Sequence, residues 1–318
     1  MTRRRKIAVT LLAVLLAVPL VVVAVAFALH GRTGVSDDLS ASVALREPPP
    51  PLSAPLTLKV VTFNIQDLYV AGKDRPLRMR AIAAKLYTLD PDIVGFQEAF
   101  IAADRALLLS ELAPTRLQYH QYFPSAIAGS GLLIASAYPI EEVFFRQFSV
   151  SNPFYKIGEG DWWAGKGVAL ARLSLPGGGL LDLYNTHAQA GYGNPAYDRV
   201  RTVQMAELAA FINESHCPTA PGLLVGDMNC RPGDADYETA VSGAGLVRAM
   251  TVDSRIDHIF HVASEACTVD VVQTEAIEAS VKLGEKVLTL SDHTGYMSTI
   301  TIRPAGPTDG PADSEGGP

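Results

Sequence analysis

Cysteine is scarce in this chain, with Cys217, Cys230 and Cys267 the only three among 318 residues. So few exclude a disulfide framework, and their spacing matches no zinc motif. One bridge with a spare thiol and three buried thiols both fit the count, and Cys230 reads as core. Nucleophile motifs built on serine or cysteine are missing, as are Gly-rich phosphate loops of the Walker or dinucleotide type. Their absence sets aside acyl-enzyme hydrolases and nucleotide-binding α/β folds. No internal repeat with a period of about 20–50 residues is present, which sets aside solenoids. Positive charge is also short: 26 basic residues face 33 acidic ones, for a net charge of -7. Arg3, Arg4, Arg5 and Lys6 precede an apolar segment, so the rest of the chain has 22 basic against 33 acidic residues, about -11. Proteins that grip a polyanion show a basic face, because Lys and Arg contacts to phosphate supply the non-specific affinity. The acidic balance therefore argues against nucleic acid as partner.

What the chain does have begins with residues 7–29, which carry no charge. At 1.5 Å per residue this run reaches about 34 Å, enough to cross a bilayer core. The basic cluster before it would stay cytoplasmic, leaving everything after residue 30 outside. Ala26-Phe27-Ala28 also matches a small-x-small cleavage pattern. The run is long for a signal segment, which favours an uncleaved anchor; both readings export the rest. Residues 31–55 include a run of four prolines, Pro48 to Pro51, and read as a semi-rigid spacer. Residues 304–318 are Pro, Gly, Asp and Ser with little to bury, and read as a disordered tail. A single folded domain is expected over 56–303, long and apolar enough for a large core.

Within that domain six short polar segments each adjoin apolar, strand-like sequence. They are Thr62-Phe63-Asn64, Gln97-Glu98, Asn185-Thr186-His187, Gly226-Asp227-Met228-Asn229, Arg255-Ile256-Asp257-His258 and Ser291-Asp292-His293. Strands are expected near 58–63, 92–96, 117–123, 131–136, 142–149, 168–175, 180–184, 222–226, 256–261, 267–274 and 296–302. Helices are expected after Pro76, over 101–113 and within 195–213. Hairpins mixed with strand–helix alternation predict mixed sheets, with helices covering the faces that do not pack on each other. Strand ends that converge on one rim of a sheet are where α/β enzymes assemble their sites.

The residue types suit hydrolysis of a phosphate ester. Glu98 is an oxygen ligand for Mg²⁺, and Asn64 offers an amide oxygen beside it. Asp227 and Asn229, two apart, fall on one face of a continuing strand, one able to activate water and the other to hold an oxyanion. Asp292 adjoins His293, Asp257 can fix either histidine in one tautomer, and His187 can donate to a phosphoryl oxygen. Singly, each has a plain structural reading: a turn for Asp227-Met228-Asn229, a helix cap for Ser291-Asp292-His293, a core hydrogen bond for His187. Six such segments in one chain point instead to a site. His120, His216 and His261 lack this context and read as structural.

In set and order these segments resemble the endonuclease/exonuclease/phosphatase superfamily of metal-dependent phosphoesterases, over essentially all of 57–302. The resemblance implies a four-layer α/β sandwich, with two mixed sheets face to face and helices outside. It implies Glu98 as principal Mg²⁺ ligand with Asn64 beside it, and Mn²⁺ or Co²⁺ as substitutes. It further implies Asp227 as base or water-orienting group, Asn229 on the phosphate, His187 and His293 against the transition state, and Asp257 in support of a histidine; Asp292, paired with His293, is counted with the catalytic residues. Gln66 departs from the nuclease branch, where a metal-binding Asp is common. Thr186-His187-Ala188-Gln189-Ala190, Ser130-Gly131-Leu132 through Pro139-Ile140, and Asp161 through Lys166-Gly167 are similar to segments of neutral sphingomyelinases. That similarity implies a phospholipid membrane substrate and makes Asp161 and Lys166 a switch pair beside the phosphate; no protein partner is evident. Trp162 and Trp163 fit either a packed loop or a lipid interface. An exported nuclease, or a binding module that kept the fold without catalysis, are the competing readings.

Overall fold

The computed structural model describes residues 3–70 and 72–305. The chain starts with α1 (Arg3–His30), apolar and largely exposed, then a 3₁₀ turn at Leu39–Ala41 and the single turn α2 (Val43–Arg46). β1 (Leu56–Asp67), α3 (Arg75–Leu89) and β2 (Ile93–Ala99) form a parallel crossover unit. α4 (Ala102–Leu112), β3 (Tyr119–Tyr122), β4 (Leu133–Ser136) and β5 (Ile140–Gln147) follow. Next come α5 (Asp161–Ala164), the hairpin of β6 (Gly167–Ser174) and β7 (Leu180–His187), α6 (Ala196–Ser215) and β8 (Gly222–Asp227). α7 (Ala235–Ala244), β9 (Leu246–Arg248), β10 (Asp257–Val262), β11 (Cys267–Ile277), β12 (Ser280–Leu283), β13 (Lys286–Thr289) and β14 (Gly295–Pro304) are the last elements among the described residues.

Two six-stranded mixed sheets result, ordered β11-β14-β1-β2-β4-β3 and β5-β6-β7-β8-β10-β9, with β12 and β13 as a separate hairpin. Each sheet has one parallel pair at its centre, β1 with β2 and β7 with β8. A parallel pair needs a crossover, and the helices α3 and α6 supply it. Central strands are apolar on both sides and must be covered on both. Leu58, Val60, Ile93, Leu183, Leu223 and Val225 pack between the sheets. Val61, Phe63, Val94 and Phe96 face outward onto Met79, Ile82 and Leu86 of α3. Leu170, Tyr184 and Leu224 do the same onto Met205, Leu208 and Phe211 of α6. The result is the expected four-layer sandwich.

The sheets approach closely at Gly95, where an added Cβ would stand 2.3 Å from a Val225 methyl. Beside this glycine Gln97 Nε2 donates to Asn185 Oδ1 at 2.7 Å, and Asn185 Nδ2 donates to Phe96 O at 3.0 Å. These bonds tie one sheet to the other at the same end as the polar segments.

Several expectations are corrected. The segment 31–55 is not a free spacer. Ser42, buried, donates to Glu142 at 2.8 Å; the backbone N–H groups of Val43 and Ala44 donate to the same carboxylate at 2.6 and 3.1 Å. Arg172, fully buried on β6, joins Ser42 at 2.6 Å, Glu142 at 2.5 Å and Asp182 at 2.9 Å. Polar groups close every donor in that network, which a proline count cannot disclose. The three cysteines, by contrast, are free thiols and all buried, one of the two readings that the count allowed. α7 and the β12–β13 hairpin have no counterpart among the expected elements. The tail expected at 304–318 lies, from residue 306 onward, outside the described residues.

Replacing Arg172 by Met would leave Asp182 buried without its cation, a change that costs about 3–5 kcal/mol. The urea midpoint of the full chain should fall accordingly. An unchanged midpoint would show that the network contributes no net stability.

Candidate active site

The carboxyl ends of both parallel pairs open at one rim, and the site is assembled there from both sheets. Asn64 and Glu98 come from β1 and β2, and His187 and Asp227 from β7 and β8. Antiparallel pairing adds the rest. Asp257 at the start of β10 sits opposite Asp227, and Tyr296 of β14 sits opposite Thr62, which brings the preceding Ser291-Asp292-His293 turn to the end of β1. Three non-glycine residues at these strand ends have left-handed backbone: Gln66 at φ 47°, Glu98 at φ 56° and Asn229 at φ 53°. At Gln66 the strand bulges between Asn64 and Asp67, and Asn64 Oδ1 accepts the Gln66 N–H at 3.0 Å.

Asp227 lies at the centre and is fully buried. Its Oδ2 accepts from Asn64 Nδ2 at 3.0 Å and lies 3.5 Å from His187 Nε2 and 3.7 Å from His293 Nε2. Its Oδ1 accepts from the Asn229 N–H at 3.0 Å. Burial, with the Asp257 charge adding to it, raises the Asp227 carboxyl well above the usual range. Asn64 Nδ2 also donates to Glu98 Oε1 at 3.1 Å. Glu98 is raised by burial as well, against the pull of Lys166 and Asn64.

His293 is clamped by Asp257, Nδ1 to Oδ2 at 2.9 Å. Burial alone would lower the imidazole; the Asp257 bond and the charges of Asp227 and Asp257 outweigh it and lift His293 to about 10. Asp257 is itself raised by burial, with His293 opposing, and its Oδ1 is buried without a hydrogen-bond partner. The Asp292 carboxylate is mostly exposed, its Oδ1 3.9 Å from His293 Nε2. Ser291 anchors this turn by donating to Asn64 O at 2.6 Å and accepting the His293 N–H at 3.1 Å.

Lys166 forms the opposite wall. Its Nζ lies 2.5 Å from Asp161 Oδ1, 2.9 Å from His187 Nε2 and 2.7 Å from Ala188 O, with both ionic partners buried. Burial first and the ammonium second push the His187 imidazole far down, so it is neutral. Its Nε2 then accepts from Lys166, and its buried Nδ1 has no partner. Asp161 heads α5, which is bracketed by left-handed Gly160 (φ 80°) and Gly165 (φ 57°). Gln189 Nε2 donates to Asp161 Oδ2 at 2.5 Å.

The structure thus brings together Asn64, Glu98, Asp161, Lys166, His187, Asp227, Asn229, Asp257 and His293, and leaves Asp292 at the rim. Two orientations differ from expectation. Asn64 turns its nitrogen, not its oxygen, toward Glu98, because two carboxylates demand donors while Gln66 N–H takes the oxygen. Asn229 Nδ2 donates to Ala188 O at 3.1 Å and is held by the scaffold. Sequence reading passed over Gln189, although it lies within the quoted Thr186–Ala190 stretch. It also passed over Arg78, which donates to Leu290 O at 2.8 Å and Gln66 O at 3.1 Å and so joins β1 to the His293 turn. Nothing in the helical pattern around Arg78 marks it.

The residues fit a divalent cation. Glu98, Asp227 and Asp257 are oxygen donors, all raised in the direction that a nearby cation reverses. Ligand atoms of Asp227, Asp257 and His293 lie within 4.8 Å of one another, and the unpartnered Asp257 Oδ1 is among the buried oxygens of this group.

The profile described as "Endonuclease/Exonuclease/phosphatase family" matches residues 61–293. The chain is 30% identical over 273 residues to a putative neutral sphingomyelinase of Drosophila melanogaster, covering 78% of this chain and 61% of the relative. It thus spans about three-fifths of that relative's length. Sphingomyelinase C from Streptomyces griseocarneus superposes with a TM-score of 0.60 at 22% identity, over 77% of this chain and 99% of that one. A mutant beta toxin from Staphylococcus aureus, with bound magnesium ions, gives 0.60 at 19%, over 77% and 99%.

The clamp on His293 has a measurable signature. A group raised on folding stabilises the fold below its unfolded value of 6.5, and that stabilisation is lost as pH rises through about 10. In the metal-free protein the His293 ring protons should titrate near pH 10 by NMR. In Asp257→Asn, burial is left with less opposition, so the midpoint should fall well below that. Equal midpoints would remove Asp257 as the cause.

Proposed function

Because the chain belongs to the endonuclease/exonuclease/phosphatase family, we propose that it is a metal-dependent phosphodiesterase acting on a phospholipid headgroup, hydrolysing sphingomyelin to ceramide and phosphocholine. The observation that carries the lipid reading is the buried Lys166, bridging Asp161 to His187. Phosphoester chemistry alone does not require that pair, and the segment holding it is similar to one in neutral sphingomyelinases. The sequence relatives of that name, the acidic body and the apolar α1 support the same reading. The domain is exported and held at a membrane by α1.

Glu98 would be the principal ligand for Mg²⁺, with Asp227 and Asp257 at hand to complete the site. An ion held there would supply charge neutralisation and polarisation of the phosphate. Asn64 keeps Glu98 and Asp227 apart and in place. An in-line displacement puts the attacking and leaving oxygens on opposite sides of phosphorus. Asp227 and His293 stand within 3.7 Å of each other, so they serve one oxygen, that of the attacking water. Asp227 takes the water's proton as the new P–O bond forms, the charged His293 steadies the attacking oxygen, and the ceramide oxygen takes a proton from solvent as its bond to phosphorus breaks. Asp257 keeps the His293 Nε2 face turned inward. Lys166, fixed by Asp161 and His187, supplies positive charge to the phosphoryl oxygens, and His187 positions it. Asn229, locked to Ala188, shapes the opposite edge.

Purified full-length protein should release phosphocholine from sphingomyelin vesicles with Mg²⁺, lose that activity in EDTA, and leave plasmid DNA un-nicked. Asp227→Ala and His293→Ala should each lower the rate about 10²–10⁴-fold, the usual contribution of a positioned acid–base group, with unchanged circular dichroism. Plasmid nicking without phosphocholine release would move the protein to a nuclease reading. A variant that keeps more than about a tenth of the rate would remove that residue from the chemistry.

A further inference from the structure

An aromatic cluster outside the site joins α1 to the catalytic domain. Phe27, in the last turn of α1, packs on Phe154 with ring centroids 5.1 Å apart and on Trp162 at 5.0 Å. His30 stacks parallel on Trp162 at 4.1 Å. Trp162 is therefore buried against the helix and is not a free lipid anchor. The residues left open are in the loop before it: Tyr155 is 66% exposed and Ile157 70% exposed. Lys156, between them, is drawn to Glu159 at 3.4 Å.

The position of this loop identifies what it meets. Tyr155 lies 5.7 Å from Phe154, so the Phe27, Phe154 and Tyr155 rings run in series from helix to loop. The apolar stretch of α1 ends at His30, one turn beyond Phe27. The rings therefore stand level with the end of the stretch that would cross the bilayer. The polar layer of a leaflet is about 5–8 Å deep, and tyrosine, apolar at one end and polar at the other, concentrates there. A protein partner would have to displace lipid already gathered around the helix.

We propose that loop 151–160 and the last turn of α1 form one lipid-contacting face, seating the catalytic site on the leaflet in which α1 is embedded. The inference rests on reading α1 as an anchor and the substrate as a phospholipid. The face is continuous with the site. Asn152 at the start of the loop accepts the Trp162 N–H at 2.8 Å and donates to Glu159 at 2.9 Å. Its N–H donates to Gln189 Oε1 at 2.8 Å, and Gln189 holds Asp161. Seating the loop therefore fixes the wall that contains Lys166 relative to the bilayer surface.

The full chain, reconstituted in phosphatidylcholine vesicles with or without lipid brominated high on its acyl chains, gives the test. Bromine quenches indole only on contact. The emission that Ile157→Trp adds to the wild-type signal should fall roughly two-fold with brominated lipid, as for an interfacial indole. Val272→Trp, at an exposed position on β11, should show no such loss. Equal, unquenched emission from both would overturn the proposal. Tyr155→Ser combined with Ile157→Ser should slow sphingomyelin hydrolysis in vesicles about five-fold, the loss of roughly 1 kcal/mol of apolar contact, while leaving hydrolysis of soluble bis(p-nitrophenyl) phosphate unchanged. No change on vesicles, or equal slowing on both substrates, would also overturn it. Quenching needs no turnover, so a protein inactive on both substrates would sink the function proposed above while the seating is still decided by fluorescence.

Discussion

Everything at the rim depends on how closely the two sheets are held at Gly95. The groups of the proposed site come from both sheets: Asn64 and Glu98 belong to one, and Asp227 with Asp257 to the other. A glycine facing Val225 lets the layers close, and the hydrogen bond from Gln97 to Asn185 fixes their relative height. Both partners of that bond are buried, so breaking it leaves two amides unsatisfied in a low dielectric. The Asn64 amide, bonded to Glu98 and Asp227 at once, is a second tie across the same gap. The site is thus an interface between two halves, held in register by amides that carry no charge and do no chemistry.

Two buried charge clusters in the same domain show opposite strategies. Around Arg172 each charge finds a partner, and the cluster joins the N-terminal segment to the sheet. Around Asp227 three carboxylates crowd together with one clamped imidazolium, and all three are lifted from their ordinary values. The first arrangement is complete as folded. The second is left short of positive charge, which is how a protein makes room for a cation or for an anionic substrate with its ion.

Much of this was legible from residues alone. All six polar segments do meet at one rim: four end the strands of the two parallel pairs, and two precede antiparallel strands that run the other way. Apolar runs such as Ile93 to Phe96 fixed the central strands. What pattern reading could not supply was partner choice. Asp257 adjoins His258 in sequence, yet β10 turns His258 into the core and gives Asp257 to His293, 36 residues away. Asn64's amide orientation depends on the Gln66 bulge, a backbone feature with no side-chain signature. The segment 31–55 looked like a spacer because its prolines spoke louder than one serine, Ser42, whose partners lie about 100 and 130 residues downstream.

Left-handed backbone at Gln66, Glu98 and Asn229 has a consequence for how this sequence can drift. Glycine would relax each position, recovering on the order of 1 kcal/mol or more of conformational strain. Mutation and selection for stability alone would therefore keep offering glycine at these sites, and at Glu98 that exchange would delete a carboxylate that the proposed chemistry needs. At Glu98 a long side chain sits in a costly backbone conformation at the very position where the proposed site uses its carboxylate. Such positions are where stabilising substitutions and inactivating ones coincide.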